Sequence, residues 1–330
     1  MTKTWKTLLA TALCAVAYRQ GWAQAPESAV LDIEWENSVA YYDDVADTSR
    51  LVSSPGPVPT TVRNFMQLLV IADVVSVNGK PVKGTLVYSP RLIQVVPNPS
   101  PGQAIGDFGR FAMGDQHIEI LQSDGTPVGL LMSSGFGGGS APPGLPAGVS
   151  TWAVTGGSGA FLGARGTLHY PPGNTGSRNA SMQEDPAMRR ALGGGRGHII
   201  ATLIPMFRPE IISSASGPTV FHADLSPVSS TRPARAGEIL IVRVTGLGPT
   251  RPGLPPGTAF PGDPVQEVNS PVEVTVNGNA AEVLNKIGWP GTTDTYRVDI
   301  RVPDGTAPGP AKVQLTAGFI PGREVSLPVQ

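Results

Sequence analysis

Short apolar stretches alternate with turn-forming residues along most of the chain, a pattern typical of β-strands joined by tight turns. Two hairpins are marked by the dipeptides Asn78-Gly79 and Asp124-Gly125, which readily accept the positive φ of such turns. The predicted strands are residues 30–40, 74–77, 82–87, 117–121, 128–132, 151–155, 165–170 and 198–205. About eight antiparallel strands are enough to close a barrel, so we predict a first β domain over residues 26–210.

A second series of short strands follows a polar connector at residues 208–217. Asn277-Gly278 marks another hairpin in this part of the chain. The clearest strands are residues 239–245, 272–276, 296–302 and 313–316. We therefore predict a second β domain over residues 217–330.

Composition limits the fold classes and the functions that we expect for this chain. The 330 residues include 41 Gly and 34 Pro, which disfavours long helices, while 40% hydrophobic residues are enough for packed cores. The formal net charge is -1, so no basic stripe is present to neutralise phosphates, and we expect no nucleic-acid partner.

The amino-terminal residues have the pattern of an export signal. Lys3 and Lys6 precede an apolar run at residues 7–18 that is too short to span a membrane, and Ala23-Gln24-Ala25 supplies a small-x-small cleavage site. We predict a signal peptide over residues 1–25, an extracytoplasmic mature protein and no transmembrane anchor; a short buried helix is the alternative. Cys14 is the only cysteine and lies within this segment, which removes thiolate chemistry from the mature chain.

Charged side chains alternate along one predicted strand. Asp115, His117 and Glu119 point to the same face, opposite Ile118 and Ile120. If that face lines the barrel, the histidine and its two carboxylates form a candidate general base or ligand site; otherwise the face is a solvated exterior. No histidine spacing indicates a metal site, and we expect none.

The segment WAVTGGSGAFLGARG at residues 152–166 resembles the GGTGxFxxARG signature of dirigent and allene oxide cyclase-like proteins, with Ser158 where threonine is usual. Residues 119–129 and 184–205 are similar to the central hairpin and last strand of that family. The resemblance implies an eight-stranded, calycin-like antiparallel barrel, often trimeric, with a pocket at one end. Family members steer phenoxy-radical coupling or a cyclisation without a cofactor.

Arg165 matches the arginine of this signature, and Tyr170 ends the same predicted strand. An arginine beside a pocket can orient a phenolate, a carboxylate or a developing oxyanion. The alternative is an arginine that ties its strand to a neighbouring carboxylate. The candidate ligand-binding residues are therefore Arg165, His117, Glu119, Asp115 and Tyr170.

Residues 237–252 (GEILIVRVTGLGPTRP) and 274–284 (VTVNGNAAEVL) resemble the Ig-like carboxy-terminal module of many secreted proteins of soil bacteria. This resemblance implies a β-sandwich that serves adhesion, spacing or surface retention, or else stability and export.

Two functional hypotheses follow. The first is an exported barrel that binds a small apolar or phenolic ligand and steers its coupling or cyclisation without a cofactor. The second is a non-enzymatic envelope or matrix protein, with a barrel filled by its own side chains and polysaccharide contacts through the second domain.

Overall fold

A computed structural model describes residues 27–44, 65–94, 110–138, 151–181, 183–215, 217–255 and 257–330. These residues form strands and turns, apart from a short 3-10 helix (Pro186–Met188) that runs into a single α-helical turn (Arg189–Leu192). The predicted all-β class is confirmed. The predicted signal peptide and Cys14 lie outside the described residues, and no described helix has the length and apolarity needed to cross a membrane.

Eight antiparallel strands close into a barrel, as predicted. The strands of this first unit are β1 (Ala29–Asp44), β2 (Phe65–Val77), β3 (Lys80–Pro81), β4 (Lys83–Gln94), β5 (Arg110–Leu121), β6 (Pro127–Gly138), β7 (Thr151–Gly159), β8 (Arg165–His169), β9 (Arg178–Ser181) and β10 (Gly195–Ile204). The order around the barrel is β1-β2-β4-β5-β6-β7-β8-β10, and β10 pairs back to β1. β3 extends the first hairpin, and β9 lies parallel to the second half of β1.

The two predicted hairpin turns form where the sequence placed them. Asn78 and Gly79 adopt φ values of 52° and 72°, the left-handed region that a tight hairpin turn requires. Asp124 accepts a hydrogen bond from the Thr126 backbone N–H at 2.8 Å, which fixes the second turn locally. Both turns lie at the same end of the barrel, here called the turn end. The opposite end, where β1, β4 and β6 finish, is the loop end.

The strands of the second unit form their own core. They are β11 (Glu210–Ile211), β12 (Ser213–Ser214), β13 (Gly217–Pro218), β14 (Val220–His222), β15 (Ile239–Thr245), β16 (Thr250–Arg251), β17 (Glu267–Val268), β18 (Val272–Val276), β19 (Asn279–Gly288), β20 (Tyr296–Arg301), β21 (Gly309–Ala317), β22 (Ile320–Pro321) and β23 (Val325–Val329). Eleven of them belong to one sheet that curls almost closed around a cluster of mostly aliphatic side chains. The predicted Ig-like relationship of this unit stays a prediction.

The second unit closes the turn end of the barrel. Phe319 and Ile320, at the turn between β21 and β22, are 8% and 1% exposed and belong to the hydrophobic core of the barrel. Gln122 Nε2 donates to the Asn269 carbonyl at 2.5 Å, and Lys80 forms an ion pair with Glu273 across the same junction. Two side chains of the second unit therefore complete the barrel core, while the rest of that unit packs around a core of its own.

Candidate functional site

A layer of polar side chains crosses the barrel interior on the loop-end side of its aliphatic core. Tyr88 on β4, Gln116 on β5 and Ser133 on β6 are register partners on neighbouring strands, so their side chains share the inner face. Gln116 is fully buried and Ser133 is 2% exposed. The next inner-face pair towards the turn end, Ile118 and Leu131, is aliphatic, so the interior changes from apolar to polar within one register step.

Tyr170 reaches this layer from the residue that follows β8. Its hydroxyl donates to Gln116 Oε1 at 2.6 Å. The amide nitrogen of Gln116 takes no part in this hydrogen bond and is free to donate to another group. Gln116 Nε2, Ser133 Oγ and Trp35 Nε1 are all buried and have no hydrogen-bond partner among the described residues. We call Tyr88, Gln116, Ser133 and Tyr170 the interior polar cluster; Trp35 faces the same barrel core from β1.

Unpartnered buried polar atoms are unusual in a folded protein because each one costs about 1–3 kcal/mol of lost solvation. We therefore expect these three atoms of the barrel interior to form hydrogen bonds with a group other than the described residues. Water or the polar group of a ligand would supply one, whereas an aliphatic core would not.

Aromatic packing holds the cluster at the loop end. The rings of Tyr88 and Trp152 meet edge to face, with centroids 5.1 Å apart and planes at 75°. Trp152 is the register partner of Gly135, and a Cβ on that glycine would lie 2.8 Å from Trp152 Cε3. A glycine at position 135 thus lets the indole lie against the strand backbone.

The cluster is electrically neutral. Burial raises the pKa of Tyr88 and of Tyr170 above the ordinary 10.0, and for Tyr170 the neighbouring Tyr88 adds to this effect. Both phenols therefore stay protonated at physiological pH. Because no member of the cluster carries a charge, the arrangement favours an uncharged ligand over an ionised one.

A cleft of about 520 Å³ lies across β2, β4, β5 and β6 at the loop end. It contacts Pro90, Gly114 and Gly135, which form the register row next to the interior polar cluster. Exposed residues of the barrel exterior, among them Arg91 and Asp115, complete its lining.

Three of the predicted site residues lie outside the barrel. Asp115, His117 and Glu119 alternate along β5 as predicted, but all three are exposed, whereas Gln116 and Ile118 occupy the inner face. The hypothesis that these charges line the interior is wrong, because ionised groups there would lose their hydration without a counter-ion. These residues instead form a solvated exterior face, which was the alternative interpretation of the pattern. Asp115 also borders the loop-end cleft.

The other two predicted residues are separated by the length of β8. Arg165 is exposed near the turn end, and its Nη1 donates to the Ala164 carbonyl at 3.0 Å. Tyr170 lies inside, one residue past the opposite end of the strand, so at about 3.3 Å per residue the two backbones are roughly 16 Å apart. Of the five predicted residues, Tyr170 alone joins the interior polar cluster.

Sequence reasoning missed Gln116, Ser133 and Trp35. A usable signal existed for Gln116, because it alternates in phase with Ile118 and Ile120, and a polar residue in phase with core positions is expected to face the core. The hydrogen bond between Tyr170 and Gln116 joins residues 54 positions apart and has no local signature.

Comparison with protein-family models, with curated proteins and with solved structures finds no match for this chain. The resemblance to dirigent and allene oxide cyclase-like proteins therefore rests on the quoted segments alone. Within the described part of the chain, no three His, Cys, Asp or Glu side chains are grouped so that they would hold a metal ion.

Proposed function

We propose that the barrel binds a small, largely apolar or phenolic molecule on the loop-end side of its interior. The observation that carries this proposal is the set of three buried, unpartnered polar atoms of Trp35, Gln116 and Ser133. The polar group of a bound molecule would satisfy Gln116 and Ser133, which are register partners, while its apolar body would pack against the aromatic rings of Tyr88 and Trp152.

The donors and acceptors of the cluster define the ligand further. The amide N–H groups of Gln116 can only donate, and Gln116 Oε1 already accepts from the hydroxyl of Tyr170. The matching ligand group is an uncharged oxygen acceptor, such as a carbonyl, an epoxide or the oxygen of a phenol. We expect this ligand group to be uncharged because no residue of the cluster carries a charge.

Any reaction there would use binding geometry. Preorganised N–H donors beside a ligand oxygen stabilise negative charge that develops on that oxygen. This chemistry suits a cofactor-free cyclisation, or a dirigent-like coupling, and it is the activity that the sequence resemblance implies.

A second candidate is the surface-recognition protein with a barrel filled by its own side chains. The observation that favours it is the packing of the turn-end half, where Ile118, Ile120 and Leu131 are buried and Phe319 and Ile320 complete the core. In that case the interior polar cluster would hold water only.

Location and partners also remain proposals. The composition of residues 1–25 supports export, and the resemblances support a homotrimer through the barrel and polysaccharide or cell-envelope contact through residues 217–330.

The test is a thermal-shift titration of the whole chain, because the second unit contributes to the barrel core. Phenols, aromatic ketones and epoxides are compared with hydrocarbons of the same shape. A binding class should raise the melting temperature with the logarithm of its concentration once that exceeds Kd, and the stabilisation reaches about 2.7 kcal/mol at a hundredfold excess over Kd. No shift with any class would support the filled barrel.

Two variants of neighbouring residues on β5 locate the ligand. Gln116→Leu removes the inward amide at similar volume and should abolish the discrimination between a ketone and its hydrocarbon counterpart. His117→Ala changes the outward neighbour and should leave the titration unchanged. The reverse result would place the ligand on the barrel exterior and refute an interior site.

A further inference from the structure

A second cleft lies between the two units, away from the interior polar cluster. It has a volume of about 450 Å³ and is lined by Gln122 of the barrel and by residues at and between β17, β18 and β19. Its apolar wall consists of Pro271, Val272, Val283 and Leu284. Its charged residues are Glu267, Glu273 and Lys286.

The acidic groups of this cleft already have donors. Glu267 pairs with Arg251 at 3.1 Å, and Glu273 pairs with Lys80. Asp124 lies close enough to act electrostatically on Lys286, and it accepts the backbone N–H of Thr126. None of these carboxylates forms an ion pair with Lys286.

Lys286 differs from the other charged residues of the cleft. It is half-buried, and its Nζ donates to the Ser270 carbonyl at 2.9 Å, but no ion pair within the described residues includes it. Burial lowers its pKa, and the neighbouring Glu267 and Asp124 offset this only in part. A half-buried ammonium with one neutral partner and two further N–H donors is the natural contact for an external carboxylate.

We propose that this cleft binds a small carboxylic acid with an aliphatic body, whose carboxylate pairs with Lys286 and whose chain lies against Val272, Val283 and Leu284. Lys286 lines the cleft without a carboxylate partner among the described residues, whereas Arg251 and Lys80 are already paired with Glu267 and Glu273. One unpaired ammonium suits a monoanion, because a dianion such as phosphate would need further donors. The apolar wall requires a ligand with more than a headgroup.

The experiment measures lysine acylation along the intact chain, with octanoate as the probe. A pulse of an amine-acetylating reagent at mildly alkaline pH is followed by mass spectrometry of individual lysines. At octanoate concentrations about tenfold above its Kd, acetylation of Lys286 should slow about tenfold, because the unoccupied fraction falls in that proportion. Lys83 and Lys312, which are exposed, serve as internal controls and should keep their rates.

Two ligand controls separate the carboxylate from the chain. Octanol and methyl octanoate carry the same aliphatic body without the charge and should give little protection. Equal protection by octanol, or uniform slowing of all the lysines, would overturn the pairing with Lys286. The same holds if octanoate leaves the rate at Lys286 unchanged.

A variant pair adds a second readout. Lys286→Gln should lose the thermal stabilisation that octanoate gives the unmodified chain, whereas Lys312→Gln should retain it. The labelling result stands without either variant if Lys286→Gln does not fold. Because this cleft is remote from the interior polar cluster, Gln116→Leu should bind octanoate normally, so failure of one proposal does not imply failure of the other.

Discussion

Ile320 offers the sharpest test of how the two units are joined. It belongs to β22 of the second unit, yet it is 1% exposed and packs into the core of the barrel beside Phe319. Replacing Ile320 with alanine should therefore destabilise the barrel, although the substitution lies more than a hundred residues beyond the last barrel strand.

The size of the effect follows from burial. Isoleucine loses three carbon groups on truncation to alanine, and at about 0.8 kcal/mol for each one the transfer free energy alone is about 2.4 kcal/mol. The cavity that remains adds to this, because a junction between two sheets relaxes only in part, so the total should be about 2–5 kcal/mol.

Urea unfolding followed by tryptophan fluorescence measures this loss. Trp35 and Trp152 lie in the barrel core, and a background with Trp5→Phe, Trp22→Phe and Trp289→Phe removes the other three tryptophans of the chain. Ile239→Ala is the control, because this side chain is 37% exposed and lies outside the barrel core, so its truncation removes less buried area and should affect the barrel transition less. An unchanged barrel transition in Ile320→Ala, or one equal to the control, would refute the shared core.

Three further predictions concern single residues. Burial opposes ionisation of Asp73, but hydrogen bonds from arginine and asparagine neighbours outweigh it and lower its pKa from 3.8 to about 2. The ionised carboxylate should therefore contribute about 2 kcal/mol to the free energy of unfolding above about pH 4, and this contribution should vanish as the pH falls towards 2. Melting curves of the unmodified chain and of Asp73→Asn should then converge in acid. Gly135→Ala should cost about 1–3 kcal/mol and change the near-UV circular dichroism of Trp152, because the added Cβ meets the indole. Glu238→Ala removes the acceptor 2.5 Å from His222 Nδ1, and chemical denaturation should show a loss of about 2–3 kcal/mol in the second unit.

Much of the barrel could be predicted because its signals are local. Asn78 and Asp124 determine their turns through the conformations and side-chain hydrogen bonds available to those residue types, and alternation along β5 separates two faces without knowledge of the rest of the chain. The shared core was not predictable in this way. No sequence signal distinguishes Phe319 and Ile320 from the other hydrophobic residues of the second unit, and only the fold shows that they pack in the barrel core.

The functional site was harder to predict because the charged residues of β5, which suggest chemistry, lie on the exterior face of the barrel. Asp115, His117 and Glu119 form a conspicuous chemical pattern, but burying that face would strand three ionisable groups without counter-ions. Gln116 lies on the same strand and looks ordinary, although its phase with Ile118 assigns it to the interior. Hydrophobic phase is therefore a better guide to an interior site than the reactivity of the residue types.

The closure of the turn end determines how a ligand would reach the interior polar cluster. Phe319 and Ile320 complete the core at that end, and aliphatic side chains fill the space between them and Gln116. Close packing leaves no path for a small molecule through such a core. A ligand must therefore enter past the loop end, and its polar group would meet Gln116 and Ser133 before any aliphatic side chain of the core. On this view the second unit supports binding without touching the ligand, since it keeps water and solutes out of the closed end of the barrel.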